Sequence, residues 1–298
     1  MSLSPPVRQA VEGVVGAVRR TAPVGGGCIA HATRVETKRG PFFLKWAEGP
    51  AGRTFAKEAE GLRVLRAAAG PDLLVPEPLL VRDAADGEPG FFLAEWVERG
   101  RADRAYWARF GVAFAALHRA KAPVRGEAGP YGFPTDNVIG RLPQPNGWRG
   151  NWPSFFREHR LEPRFALARA QGCWDAAWDA LADRLLDRLS DLLPAHPTPS
   201  LLHGDLWSGN AFPSADGRAV LIDPAVYVGD READLAMTEL FGGFEAPFYD
   251  AYRAAWPLEP GYEERREVYN LYHLVNHLTH FGGGYASGVA RVLRRFGG

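Results

Sequence analysis

One short loop and the strand after it constrain this chain more than anything else in it. Leu201-Leu202-His203-Gly204-Asp205-Leu206-Trp207-Ser208-Gly209-Asn210 carries an acid and an amide in a single loop. Val220-Leu221-Ile222-Asp223-Pro224 then returns a second acid at the end of an apolar run. Between them, Ala211-Phe212 and the turn Ser214-Ala215-Asp216-Gly217 predict a hairpin, which carries Asp223 back beside Asn210. Any fold of this chain must therefore gather two acids and an amide at one end of that hairpin. The groups suit one another chemically. A carboxylate at 205 can accept a proton from a hydroxyl, while Asn210 and Asp223 offer hard oxygens. Mg²⁺ takes few such ligands from protein, so a carboxylate plus an amide suffices.

The spacing H-x-D-x-x-x-x-N, followed by an Asp after a strand, is the one protein kinases use to move a phosphoryl group. It predicts Asp205 as the catalytic base, with Asn210 and Asp223 holding Mg²⁺ on the phosphates of ATP. Taken singly, His-Gly-Asp is a common loop, and an Asp after a strand is often a helix N-cap. Order and spacing together carry the argument. Such a site also needs a lysine on an N-terminal strand and a helical Glu to orient it. The chain has only Lys38, Lys45, Lys57 and Lys121 to choose from. Lys45 ends the run Phe42-Phe43-Leu44 after a Lys38-Arg39-Gly40-Pro41 turn, where a third strand would carry it. Lys38 lies in the turn, and Lys57 and Lys121 fall in solvated helical patterns.

The lysine's partner should come from the next helix, read at 53–69 from Phe55, Ala59, Leu62, Leu65 and the Arg66 stem. Glu58 and Glu60 point about 200° apart on such a helix. Glu58 shares the apolar face, where an unpaired charge is costly, and is therefore assigned to Lys45. Glu60 reads as a solvated charge. Upstream, Gly25-Gly26-Gly27 fits a turn whose bare backbone can approach phosphate oxygens. Cys28 beside it reads as an inert small residue rather than a redox-active thiol.

The remaining pattern predicts an opening helix over 4–20, strands within 24–46, 79–83 and 91–96, and a helix over 103–119 with Phe110, Val112, Phe114 and Leu117 on its apolar face. Glu95 to Gly100 would form the hinge that meets adenine, with Glu95 and Val97 as its contacts, and the chain would divide into residues 1–97, a nucleotide-binding lobe, and 98–298, a catalytic and substrate-binding lobe. The expected fold class is α+β: a bilobal, protein-kinase-like fold with a small β-rich N-lobe and a larger, mostly helical C-lobe. Asp230 and Asp234 are expected to cap a helix and tether the catalytic loop.

Formal net charge is zero, with 35 basic and 35 acidic residues and no basic block, which argues against nucleic acid or anionic membrane as partners. Two cysteines make no disulfide framework, and no run approaches the ~20 apolar residues of a membrane span, so a cytoplasmic setting is expected. Two clusters remain. The segment from Tyr131 to Phe156 is rich in aromatics and amides. Amides read sugar hydroxyls and indoles stack on sugar rings, which makes Gln144, Asn146 and Trp148 candidate contacts of a polyol. An irregular insert packed on the helical lobe would have the same composition. His273, His277 and His280 lie in an apolar helical pattern without a local Glu or Cys, and read as core histidines rather than metal ligands.

These residues resemble the fructosamine (ketosamine) kinases, which share their broad fold with aminoglycoside phosphotransferases and choline kinases. The resemblance spans nearly the whole chain: Gly26-Gly27-Cys28-Ile29, Phe43-Leu44-Lys45, Glu58-Ala59-Glu60-Gly61-Leu62, Asn137-Val138-Ile139-Gly140, Gln144-Pro145-Asn146, the 203–210 loop and Asn276-His277-Leu278 to Phe281-Gly282. Trp207 is its specific mark, since protein kinases carry a basic residue at that place. The resemblance implies ATP- and Mg²⁺-dependent phosphorylation of the 3-hydroxyl of a ribulosamine, erythrulosamine or fructosamine, free or protein-linked. The product ester is labile and releases the amine, which amounts to deglycation. Trp207 would wall the sugar site. Two alternatives stay open: a phosphotransferase of the aminoglycoside or choline type, and a catalytically silent nucleotide-binding scaffold.

Overall fold

The computed structural model describes residues 3–25 and 30–298. The chain opens with α1 (Pro5–Val15), started by proline at a position where the missing N–H costs nothing. It stops at Gly16, whose φ of 82° leaves the helical region. The predicted helix to residue 20 is therefore too long, because Arg20–Pro23 is already strand β1. Strands β2 (His31–Thr37) and β3 (Gly40–Ala47) form a hairpin, followed by helix α2 (Phe55–Ala68), the short β4 (Leu73–Leu74), β5 (Pro78–Arg82) and β6 (Gly90–Glu95). They build an antiparallel five-stranded sheet in the order β1-β2-β3-β6-β5.

Alternation along β6 sends its side chains to two cores. Phe91 and Leu93 join Val35, Leu44 and the α1 residues Val7, Val11 and Val15 in a small outer core. Each of those fully buried valines contributes roughly 1.5–3 kcal/mol. Phe92 and Ala94 face the other way, onto Phe55, Ala59, Leu62 and Leu65 of α2, in a core continuous with the rest of the molecule. Strand β4 leaves the N-terminal sheet and pairs in parallel with the hairpin that precedes Asp223, Ala219 opposite Leu73 and Val220 opposite Leu74.

The helical remainder starts with α3 (Arg104–Arg119), N-capped by Asp103, whose carboxylate accepts from the Tyr106 N–H at 2.6 Å. Phe110, Phe114 and Leu117 are buried, but Val112 is 51% exposed and does not belong to that face. A two-stranded hairpin follows, β7 (Asn137–Ile139) with β8 (Leu142–Gln144). Next come α4 (Trp152–Phe156), α5 (Glu162–Ala170), α6 (Asp179–Asp187) and α7 (Leu189–Leu192). Strand β9 (Pro199–Leu202) enters the 203–210 loop, and β10 (Ala211–Pro213) with β11 (Ala219–Leu221) is the predicted hairpin. Strand β12 (Tyr227–Asp230) pairs antiparallel with β9 and runs into α8 (Arg231–Leu240). Helices α9 (Ala246–Ala255), α10 (Tyr262–Phe281) and α11 (Ala286–Gly297) complete the chain. None of the helices among the described residues is long and apolar enough to cross a membrane.

Candidate active site

The 203–210 loop is held from beneath. Asp234, in the first turn of α8, accepts the backbone N–H of His203 at 2.6 Å and that of Gly204 at 2.8 Å. Its carboxylate also meets His118 Nε2 at 3.3 Å, and the other nitrogen of that ring lies 2.8 Å from the Tyr252 hydroxyl. Burial would push the Asp234 carboxyl up, but His118 and the amide donors hold it below its ordinary value. Asp230 caps the same helix, accepting from the Glu232 N–H at 3.0 Å. Both acids thus tether and cap, as their place in the sequence suggests. Gly204 takes φ +83°, and a Cβ there would meet the Ala225 carbonyl at 2.0 Å, so only glycine fits the turn into the loop.

His203 is fully buried, with Nε2 facing the Ile222 carbonyl at 3.0 Å and Nδ1 accepting from the Asp205 N–H at 3.3 Å. These partners assign a neutral ring protonated on Nε2, in keeping with burial lowering its pKa. Beyond it, Asn210 turns its Nδ2 toward Asp205, 2.8 Å from the carbonyl and 3.3 Å from the carboxylate. That leaves Oδ1 as the amide's hard donor. The Ile222 N–H donates to the Asn210 carbonyl at 3.0 Å, so the hairpin does bring Asp223 back beside Asn210. Asp223 sits at φ +51°, a conformation aspartate tolerates better than most side chains.

Lys45 lies in β3, opposite Ala32 of β2 and Phe92 of β6. Its Nζ is 2.9 Å from Glu58 Oε2, 3.1 Å from Oε1 and 2.9 Å from Asp223 Oδ1. Burial opposes the ammonium charge, yet the two carboxylates more than offset it and hold the Lys45 pKa above its ordinary value. One cation facing two acids makes a coupled set. Burial pushes Glu58 up, while Asp223, half open to solvent, is held below its ordinary value by the Lys45 charge despite burial. Glu60 is not simply solvated, because it accepts a hydrogen bond from Thr135 Oγ1 at 2.9 Å.

Two hollows meet at this cluster. One is a slot between the sheet and the hairpin, lined by Val24, Ala32, Phe43, Ala94, Phe212 and Ile222, with Gly25, Glu95 and Val97 at its edge. The Glu95 carboxylate is already engaged by Arg66 at 3.1 Å and by the Glu77 N–H at 2.9 Å, which leaves its backbone as the part that faces the slot. Gly26, Gly27 and Cys28 lie outside the described residues. The other hollow is a cleft lined by Asn137, Ile139, Ala225, Asn276, His277 and Phe281. Lys45, Asn210, Asp223 and Trp207 border both hollows, whereas Asp205 borders only the cleft. Burial, with Asp223 nearby, pushes the Asp205 carboxyl up to about 7. A base poised near neutrality therefore faces one hollow, and a cation with two oxygen donors stands at the junction.

The acceptor contacts expected from the aromatic segment fall elsewhere. Gln144 is fully buried, donating to Asn137 Oδ1 at 2.8 Å and to the Ala225 carbonyl at 3.0 Å while accepting from Tyr272 at 2.6 Å. Asn146 is equally buried, donating to the Thr135 carbonyl at 3.0 Å and accepting from Arg160 at 2.8 Å. Every polar atom of these two amides is spent on the protein, so they support the cleft wall from behind. Trp148 packs over Gly126 and Gly132, away from the cleft, where a Cβ would strike its ring. Trp207, 40% exposed, is the one expected acceptor contact that borders the cleft.

The core-histidine reading holds for His273, 4% exposed, and not for its neighbours. His277 and His280 both line the cleft. His280 accepts the Arg141 N–H on Nε2 at 3.1 Å, which joins α10 to the 137–144 hairpin. His277 stacks with Phe241, Phe281 and Tyr285 at centroid distances of 4.5, 5.5 and 5.1 Å, making an aromatic rim. The available signal was the placement of Asn276, His277 and His280 as polar residues in the mostly apolar C-terminal half of α10.

A β-rich region over a helical one, with a lysine–glutamate pair above an Asp–Asn–Asp floor, defines a phosphotransferase of the protein-kinase-like fold. An aminoglycoside phosphotransferase of 16% identity shares that fold, with TM-score 0.65 over 97% of this chain and 95% of its own. Closer likenesses narrow the class. A sequence profile of the fructosamine kinase family matches residues 7–296. A protein of Synechocystis sp. named as a probable ketoamine kinase is 40% identical over 279 residues, covering 93% of this chain and 90% of the relative. A crystal structure from Thermobifida fusca, described as a candidate fructosamine-3-kinase, is 32% identical, covers 97% of each chain and superposes with TM-score 0.82. The chain belongs to the fructosamine kinase family.

Proposed function

We propose that this protein transfers the γ-phosphoryl group of ATP to the 3-hydroxyl of a ketosamine, giving an ester whose breakdown frees the amine. The observation that carries the reading is the division of labour between the hollows: the carboxylate poised near neutrality borders only the cleft, while the charge-neutralising groups stand where cleft and slot meet. In this reading the apolar slot takes the adenine, with the backbone of Glu95 to Val97 at its edge and residues 97 and 98 dividing the two lobes. Gly25 would approach the phosphates.

Lys45, aligned by Glu58, orients the phosphates. Asn210 Oδ1 and the Asp223 carboxylate are hard oxygen donors, and their position at the junction fits Mg²⁺. Bound there, Mg²⁺ would neutralise charge on the phosphates. Asp205 orients the acceptor hydroxyl and takes its proton as the oxygen attacks phosphorus. Phosphoryl transfer gains most from positioning and electrostatics, and these residues supply both. Trp207 walls the sugar, and the aromatic rim of His277 and Phe281 suits the alkylammonium part of a ketosamine, free or on a protein. A cytoplasmic setting, where Mg·ATP is at hand, goes with this proposal.

The test is ADP release with Mg·ATP and a small ribulosamine, run beside a fructosamine, choline, an aminoglycoside and a no-acceptor control. Release dependent on a ketosamine alone supports the reading. Release with another alcohol and none with ketosamines would sink the substrate while keeping the phosphotransferase.

A further inference from the structure

Besides Asn210, two asparagines border the acceptor cleft, and their amides are in opposite states. Asn137 spends its side chain on the protein, donating to the Val226 carbonyl at 2.7 Å and accepting from Gln144 at 2.8 Å and Asn146 at 3.0 Å. Asn276, on α10, is 2% exposed and also lines the cleft, yet neither its Oδ1 nor its Nδ2 has a hydrogen-bond partner among the described residues. Its backbone is fixed, since the carbonyl faces His280 Nδ1 at 2.8 Å. Its side chain is hemmed in by a well-packed helix whose neighbours Val275 and Leu278 are 0% and 1% exposed. A buried amide with both donor and acceptor unpaired is costly, and native proteins rarely keep one without a use for it.

We infer that the Asn276 amide is a specificity-determining contact that reads the non-reacting hydroxyls of the sugar in the acceptor cleft. The inference rests on the ketosamine-kinase reading and deepens it. A carboxamide offers one acceptor and one donor side by side, which matches two vicinal oxygens of an open-chain polyol: one hydroxyl donates to Oδ1 while its neighbour accepts from Nδ2. With the 3-hydroxyl on Asp205, those oxygens are the 4- and 5-hydroxyls. Because the amide is buried, an acceptor lacking the matching hydroxyl leaves it unpaired in the ternary complex. Sites built in this way reject deoxy analogues far more strongly than apolar pockets reject a missing methylene.

The experiment compares a ribulosamine with its 4-deoxy and 5-deoxy analogues on the wild type and on Asn276→Leu, a near-isostere without donor or acceptor. For the wild type, at least one deoxy analogue should lose on the order of 100-fold or more in kcat/KM. In Asn276→Leu the parent should fall to about the level of that analogue, and the ratio between them should collapse to within about threefold. Mg·ADP affinity should stay unchanged, which a merely structural loss would not allow. Should the leucine variant fold poorly, Asn276→Ala removes the donor and the acceptor with less bulk and should collapse the same ratio. A wild type indifferent to both deletions, or a variant that retains the wild-type preference, overturns the inference. Absence of turnover on every ketosamine would instead overturn the underlying reading, and the two failures are told apart by the wild type alone.

Discussion

The two hollows that meet at Lys45 and Asp223 are built by different physical means. The junction is ionic and drawn from two local sets, a strand lysine with a glutamate on the following helix, and a loop and hairpin carrying Asn210 and Asp223. The cleft proposed for the acceptor is assembled from the β7–β8 hairpin, Trp207 and the end of α10, and apart from Asp205, Lys57 and the junction groups its polar side chains are mostly neutral amides and imidazoles. Charge at the junction is compensated within the protein, whereas at Asn276 the cleft leaves hydrogen bonds unmade. Replacing one charged group at the junction leaves the others unpaired, whereas a neutral contact in the cleft can be exchanged without exposing a charge. In this fold, the reaction and the choice of acceptor can therefore change separately.

That contrast predicts a hierarchy of effects. Asp223→Ala removes the carboxylate shared by Lys45 and the proposed metal position, and should lower kcat by about 10³-fold or more with stability little changed. A loss under tenfold would mean the charge at the junction is supplied by something else. Lys45→Met leaves Glu58 and Asp223 facing each other and should lower kcat/KM for ATP by roughly 10²-fold, with a smaller effect on acceptor KM. If acceptor KM rises instead, the boundary between the hollows is misplaced.

Asp234→Ala strands two buried N–H groups under the catalytic loop and should destabilise the protein by about 2–4 kcal/mol in denaturant unfolding. Stability within ~0.5 kcal/mol of wild type would show that Asp234 does not hold the loop. Trp207→Ala, at the cleft, should raise acceptor KM by about tenfold while moving ATP KM much less. Equal changes in both would place the ring in the nucleotide slot.

The sequence made the junction legible and most of the cleft illegible, for the same reason. Asp205, Asn210, Asp223, Lys45 and Glu58 sit on local patterns whose periodicity says where each side chain points, and the structure brings these five together. The fold class was legible too, with errors at helix ends such as Val15 and at Val112, where period alone cannot tell a partly exposed flank from a core face. Gln144 and Asn146 carry amides suited to a sugar, but their partners Tyr272 and Arg160 are remote in sequence, so nothing local reveals that those amides are already spent. His277 and His280 were hidden by the apolar helix around them. Their exposure to the cleft depends on where the 137–144 hairpin docks against α10.

Asp205 borders the cleft alone, and its raised pKa ties activity to stability. Its carboxyl moves from an ordinary 3.8 to about 7 on folding. Between those values the folded protein holds a proton that the unfolded chain has lost, so this group's contribution to stability falls as pH rises through the window and is flat above it. Asp205→Asn should therefore be more stable than wild type by about 1–3 kcal/mol at pH 8, with the gap closing near pH 4. For the wild type, kcat/KM for the acceptor should rise with pH through about 7 and then level off.

The most direct measurement is single-turnover phosphoryl transfer by Asp205→Asn, made beside its affinity for Mg·ATP. The expected result is nucleotide affinity within about threefold of wild type and transfer to a ribulosamine slowed by about 10³-fold, because the substitution removes the base from the cleft and leaves the junction intact. Transfer at the wild-type rate would contradict the account, as would loss of nucleotide binding.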